Sequence, residues 1–218
     1  MTTVPKRLMG PENAATRSVL MDATETVMRD EGYAAVTSRR VAERAGVNQQ
    51  TVYYYFQTMD ELLLATYRRR TGRVSERLVQ ALTSQRPLHA LWQASSDPFD
   101  AALTMEYLAL ANHNEAIRRE TIEFGERIRL LELDRVTARL SETAADGDAL
   151  PALSVIMAIT YIAHLLGFET ALGIRGGHKE VRALMERALR HLEPVGTRNV
   201  SQSVTLPMDG QDGSPPTD

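Results

Sequence analysis

Apolar residues recur at three- and four-residue intervals along nearly the whole chain, and no stretch alternates apolar and polar residues strictly enough to read as a strand. This pattern predicts helices over about 14–30, 59–83, 87–95, 98–112, 114–145, 151–174 and 178–193, with Ala15, Val19, Ala23 and Val27 as the inward stripe of the first. Pro87, Asp97-Pro98, Asp146-Gly147-Asp148 and the glycines at 173, 176 and 177 punctuate them. From Pro194 the composition turns to Ser, Thr, Pro, Gly and Asp, so 194–218 reads as a disordered tail and 1–13 as a flexible arm. The expected fold is all-α, with a small N-terminal domain over 14–58 and a larger one over 59–193, joined by a linking helix over 59–83.

Two shorter helices stand out between these. Thr37 is placed to cap a helix whose Val41, Ala42 and Ala45 face inward, and Gly46 supplies the left-handed backbone that ends it. Val47 anchors the turn, Asn48 caps a second helix, and Val52 and Phe56 give that helix a buried stripe. Gln49, Gln50, Thr51, Tyr53 and Tyr55 then project outward. This is a helix-turn-helix, whose second helix enters the major groove of DNA with its N-terminal residues at the base edges. A Gln amide donates and accepts at once, matching adenine N6 and N7, and a Thr methyl matches the thymine methyl. Tyr hydroxyls, the hydroxyls of Thr37 and Ser38 and the helix N-termini suit phosphates, and Arg39 suits either phosphate or guanine.

The segment from Ala14 to about Leu64 resembles the DNA-binding domain of the tetracycline-repressor (TetR) family. The resemblance rests on Glu31-Gly32-Tyr33, Val36-Thr37, Val41-Ala42, Ala45-Gly46-Val47, Thr51-Val52-Tyr53-Tyr54-Tyr55-Phe56 and Asp60-Glu61-Leu62. It implies DNA contacts by Thr37, Arg39, Gln49, Gln50, Thr51, Tyr53, Tyr54 and Tyr55. After Phe56 the family usually places two lysines around a small polar residue, whereas this chain has Gln57-Thr58-Met59. Thr58 still caps the next helix and turns its N-terminal dipole toward a phosphate, so DNA binding with a shallower salt dependence is expected.

Net charge is −3, unusual for a DNA binder, yet residues 1–70 carry 10 Lys+Arg against 8 Asp+Glu, so the small excess of positive charge lies at the helix-turn-helix end. Zero cysteines exclude a disulfide scaffold and cysteine-based metal, redox or nucleophile chemistry. The N-terminus has no apolar run of a signal peptide, and a cytoplasmic location is expected. Residues 149–168 lack any charged side chain, but Pro151, Ser154, Thr160, Tyr161, His164 and Gly167 dilute the run and no aromatic belt flanks it, so a membrane span is rejected. A helix apolar on all sides is instead expected to face the core on one side and a second copy of the chain on the other. The family resemblance likewise implies a homodimer through the helices over about 151–174 and 178–193, and so a pseudo-palindromic operator.

Between the domains' ends, Trp92, Phe99, Met105, Tyr107, His113, Phe124, Ile128, Tyr161, His164 and Phe168 are candidate lining for a pocket holding a small, mostly apolar effector, with His113 and His164 as its polar candidates. The five histidines show no metal-ligand spacing, and no phosphate loop or nucleophile motif occurs, so neither a metal, a cofactor nor an enzyme is expected. The expected function is a ligand-responsive, sequence-specific transcriptional repressor. The alternatives are an architectural, nucleoid-associated DNA-binding protein without an effector, or a helical small-molecule-binding or enzymatic protein.

Overall fold

The computed structural model describes residues 11–143 and 150–194. Among the described residues it contains α1 (Pro11–Glu31), a 3-10 turn (Tyr33–Ala35), α2 (Ser38–Ala45), α3 (Gln49–Tyr55), α4 (Met59–Leu82), α5 (Pro87–Ser95), α6 (Pro98–Ala111), α7 (Glu115–Thr143), α8 (Ala152–Leu172) and α9 (His178–Leu192), and no strand. The loop expected at 146–148, residues 1–10 of the arm and the tail beyond Pro194 lie outside the described residues.

Two cores organise the chain. The first joins α1, α2, α3 and the start of α4 around Leu20, Val27, Met28, Val41, Val52, Phe56 and Leu62, and extends to Leu103, Tyr107 and Ile117 of α6 and α7. The second joins the end of α4 to α5, α7, α8 and α9 around Leu88, Leu91, Trp92, Val136, Ile156 and Leu189. The face of α1 differs from the expected stripe. Val19 is 44% exposed and Ala15 is exposed, while Leu20, Ala23, Thr24, Val27 and Met28 are buried. Bulk decides this, because Leu20 and Met28 remove more apolar surface from water than Ala15 would.

The amide of Tyr33 donates to the Glu106 carboxylate at 2.6 Å, and Asn114 Nδ2 donates to Asp60 Oδ1 at 2.9 Å, so α6 and its exit are tied to the N-terminal helices. Across α1 and α4, Arg69 bonds Ser18 and pairs with Asp22, and Arg73 grips Glu25 at 2.5 and 2.7 Å. Farther along, α8 packs on α5, α6 and α7, approaching α6 so closely at Gly167 that an added Cβ would stand 2.6 Å from the Ala101 Cβ. By length and composition α8 could cross a membrane, but it is not apolar-buried on every side: Val155, Ile156, Ile159, Ala163 and Leu166 are covered, whereas Tyr161, Leu165 and Leu172 are exposed.

Candidate nucleic-acid interface and effector cavity

The helix-turn-helix is built by local capping. The Thr37 hydroxyl accepts from Arg40 N at 3.2 Å, opening α2. At its other end Gly46 adopts φ 67°, letting its own N–H reach the Glu43 carbonyl and the Val47 N–H reach the Ala42 carbonyl at 3.0 Å, a closure a β-carbon would strain. Asn48 Oδ1 then accepts from Thr51 N at 2.9 Å and opens α3. Val52 and Phe56 seat α3 on the first core, leaving Gln49 and Gln50 exposed, Tyr53 48% exposed and Tyr54 53% exposed.

Three of the expected contact residues are placed differently. Ser38 is buried, and its hydroxyl accepts from Gln49 Nε2 at 2.7 Å and from the Tyr53 hydroxyl at 3.1 Å. It therefore orients two outward side chains rather than presenting itself. Tyr55 is half-buried, with its hydroxyl donating to Asn13 Oδ1 at 3.0 Å, and the half-buried Thr51 turns its hydroxyl onto Asn48 at 3.0 Å. Arg39 is exposed, while its neighbour Arg40 is held by Glu31 and Glu43. Thr58 does cap α4, accepting from Glu61 N at 3.1 Å, but Glu61 reaches back to the Gln57 amide at 2.9 Å. These two bonds tie Gln57 and Thr58 to the helix start while placing a carboxylate at the N-terminal end expected to offer a bare dipole.

Helices α4 to α8 enclose a cavity of about 230 Å³. Five of the ten candidate lining residues meet there: Tyr107, Phe124, Ile128, Tyr161 and His164. The other five do not. Trp92 is buried in the second core, Phe99 is 70% exposed in the first turn of α6, Met105 is exposed on the outer face of α6, Phe168 stacks on His164, and His113 stacks on Tyr33 with ring centres 6.5 Å apart. Helical period alone cannot tell inward from outward on helices packed from several sides.

The cavity's polar groups were largely missed. Arg70, only 6% exposed, donates to the Asp100 carbonyl at 2.9 Å and to Thr104 Oγ1 at 2.7 Å, and Arg77 pairs with the Asp100 carboxylate. Arg129 donates to the Tyr161 hydroxyl at 2.8 Å. Glu132 is 2% exposed and, among the described residues, has no hydrogen bond or ion pair. Its signal was in the sequence. Ile128, Glu132, Val136 and Leu140 form one i, i+4 row, all buried, and a carboxylate interrupting an apolar row marks a special site. Burial pushes the Glu132 carboxyl up to about 7, against the pull of Arg129. Burial also pushes His164 below its ordinary value, aided by Arg70. Among the described residues no group of three or more His, Asp or Glu is set to hold a metal ion.

The buried carboxyl gives a stability prediction. The folded chain holds the Glu132 proton up to about pH 7, while an unfolded chain releases it near 4.5, so stability is lost as pH rises between those values. The full span is worth about 3 kcal/mol. Glu132→Gln removes this penalty and is expected to stabilise the protein by up to about that amount at pH 8, with little gain near pH 4.5. Urea unfolding of both proteins at the two pH values checks it; a gap that does not widen with pH would mean the carboxyl is not held in this environment.

Residues 20–66 match the model of bacterial regulatory proteins, tetR family. The HTH-type transcriptional regulator BetI of Rhizobium meliloti (strain 1021) is 31% identical over 122 residues, covering 52% of this chain and 60% of that protein's length. In fold, the chain is similar to a transcriptional regulator structure from Saccharomonospora viridis in complex with choline, with TM-score 0.69, 18% identity, and 82% of this chain and 97% of that one covered. It is also similar to a TetR transcription regulator from Haloarcula marismortui, with TM-score 0.65, 20% identity, and coverage of 83% and 97%.

Proposed function

Since its N-terminal domain belongs to the TetR family of bacterial regulatory proteins, we propose that the chain is a sequence-specific transcriptional repressor that a small molecule releases from DNA. The observation that carries this is the pairing, on one continuous helix, of two different surfaces. α4 begins under the helix-turn-helix with Leu62 and Leu63 in the first core, and ends as a wall of the cavity with Arg70, Val74, Arg77 and Leu78. Anything that changes the cavity acts on α4 along its length. A second route runs through α6, which lines the cavity with Thr104 and Tyr107 and holds the Tyr33 amide with Glu106.

In this reading Gln49, Gln50, Tyr53 and Tyr54 meet the operator, with Ser38 fixing Gln49 and Tyr53 before binding. Thr37 and Arg39 serve phosphates. The exposed apolar face of α8, comprising Leu153, Tyr161, Leu165 and Leu172, together with Leu184 of α9, pairs with the same face of a second copy. Two copies present two recognition helices, which demands a pseudo-palindromic site. An effector that prefers the dimer geometry mismatched to the operator lowers DNA affinity by its differential affinity, about 1–3 kcal/mol in such systems. The choline complex of a fold neighbour supports a small molecule as occupant of such a domain. The protein then acts in the cytoplasm, without catalysis.

Selection of bound sequences from a random DNA pool at two salt concentrations tests the proposal. An enriched inverted repeat is expected. Replacing both Gln49 and Gln50 by alanine is expected to cost about 2 kcal/mol or more on that repeat, some thirtyfold, at unchanged thermal stability. A double variant that binds the repeat as the parent does would remove these residues from recognition. Enrichment of nothing, with binding that vanishes as salt rises, would favour a non-specific architectural role instead.

A further inference from the structure

We infer that the cavity is built for a compact organic cation, whose charged head lies against Glu132 and is ringed by aromatic side chains. The inference rests on the reading of this cavity as an effector site and names the chemistry of its occupant. At about 230 Å³ the space is smaller than the roughly 300–1,000 Å³ of drug-sized sites, so the occupant is small.

The arginines on its wall already have protein acceptors. Arg70 and Arg77 share Asp100, at 3.6 Å in the case of Arg70, and Arg129 is engaged by Tyr161 and Glu126. Glu132 has no such partner, although it is buried. Arg129, the lining cation whose field reaches Glu132, is itself held by Tyr161 and Glu126, so Glu132 is the acidic group of the lining still open to a ligand, and a cation beside it would favour its charged form.

The walls suit a cation in a second way. Tyr67, Tyr107, Phe124 and Tyr161 give the cavity an aromatic lining; Arg70 lies over the Tyr107 ring at 5.9 Å and Arg127 over the Phe124 ring at 5.8 Å, so Tyr67 and Tyr161 are the rings for a ligand cation. The negative faces of such rings attract an ammonium group, most strongly when it is desolvated. Two buried polar atoms, the Tyr107 hydroxyl and Arg70 Nε, have no hydrogen-bond partner, and both belong to residues of the lining. They would receive an oxygen at the far end of the occupant.

Calorimetric titration of the full chain with tetramethylammonium, neopentyl alcohol and pivalate tests this, because the three probes share a compact branched shape and differ in charge. Tetramethylammonium is expected to bind about tenfold tighter than the alcohol or more, and pivalate weakest. Glu132→Gln is expected to abolish the preference while leaving the alcohol's affinity within about twofold. The inference is overturned if the alcohol or pivalate binds as tightly as the cation, if no saturable uptake of the cation occurs, or if the variant keeps the preference. The comparison among probes on the parent protein stands even if the variant folds poorly. Release of the selected operator by pivalate or the alcohol but not by the cation would sink this inference and leave the regulator standing. Failure to select any operator would sink the regulator and leave the probe ranking to decide the cation.

Discussion

Phe56→Ala is expected to destabilise the N-terminal domain by about 3–5 kcal/mol and to abolish operator binding. Phe56 ends α3 with its amide on the Val52 carbonyl at 2.9 Å, and its ring is fully buried where α1, α3 and α4 converge. The Arg17 guanidinium lies 4.4 Å above that ring, adding a cation–π contact that alanine cannot make. Truncation opens a cavity where α3 meets α4, so the recognition helix loses its bearing. The buried residues of the second core begin at Leu78, with Val74 packed beside them, and that core is expected to survive. Circular dichroism should therefore show partial loss of helix, with a separate, higher transition remaining. Full helical content with operator affinity unchanged would show that α3 is held by something else. Phe56→Leu, which refills most of the volume, should lose much less.

The second large effect is expected at Glu193. This carboxylate is fully buried and closes the far end of the molecule, accepting from Leu88 N at 2.8 Å and His89 N at 3.0 Å, with His89 Nδ1 at 2.8 Å and Arg139 Nε at 3.9 Å. It is the cap that α5 does not supply for itself, since Arg86 at that position makes no side-chain capping bond. Glu193→Ala leaves two first-turn amides without acceptors and takes a counter-charge from Arg139. The expected cost is about 3–5 kcal/mol in chemical unfolding. Glu193→Gln keeps one oxygen acceptor and should cost less, which separates loss of the cap from loss of side-chain volume. Recognition of DNA by the residual folded protein should be unchanged, because no residue of the helix-turn-helix touches this cap. An alanine variant as stable as the parent would show that water caps α5 equally well.

These two sites differ in how visible they were beforehand. Phe56 and the helix-turn-helix around it were legible because each signal is local: Thr37, Asn48 and Thr58 bond amides three residues on, and Gly46 closes a turn with its immediate neighbours. Helix positions were legible for the same reason, with Pro87, Asp97-Pro98 and Gly173 marking boundaries through their own backbone preferences. Glu193 was not legible as a cap, since its partners stand 104 and 105 residues away. Before the structure it read as the last residue of a helix ahead of a polar tail.

By itself, then, the sequence determined what contiguous residues decide: an all-helical chain, the order and limits of its helices, and a capped recognition helix with Gln49, Gln50 and Tyr53 on its outer side. Tertiary structure decided which face each helix turns inward. It buried Leu20 rather than Ala15, buried Ser38 beneath the exposed Gln49, turned Tyr54 outward and Tyr55 partly inward, and moved Phe99 and Met105 out of the cavity while bringing Arg70 and Glu132 into it. The physical reason is range. Capping and turn geometry are set within a few residues, whereas burial and the fate of a charge are set by whichever distant helices close over it.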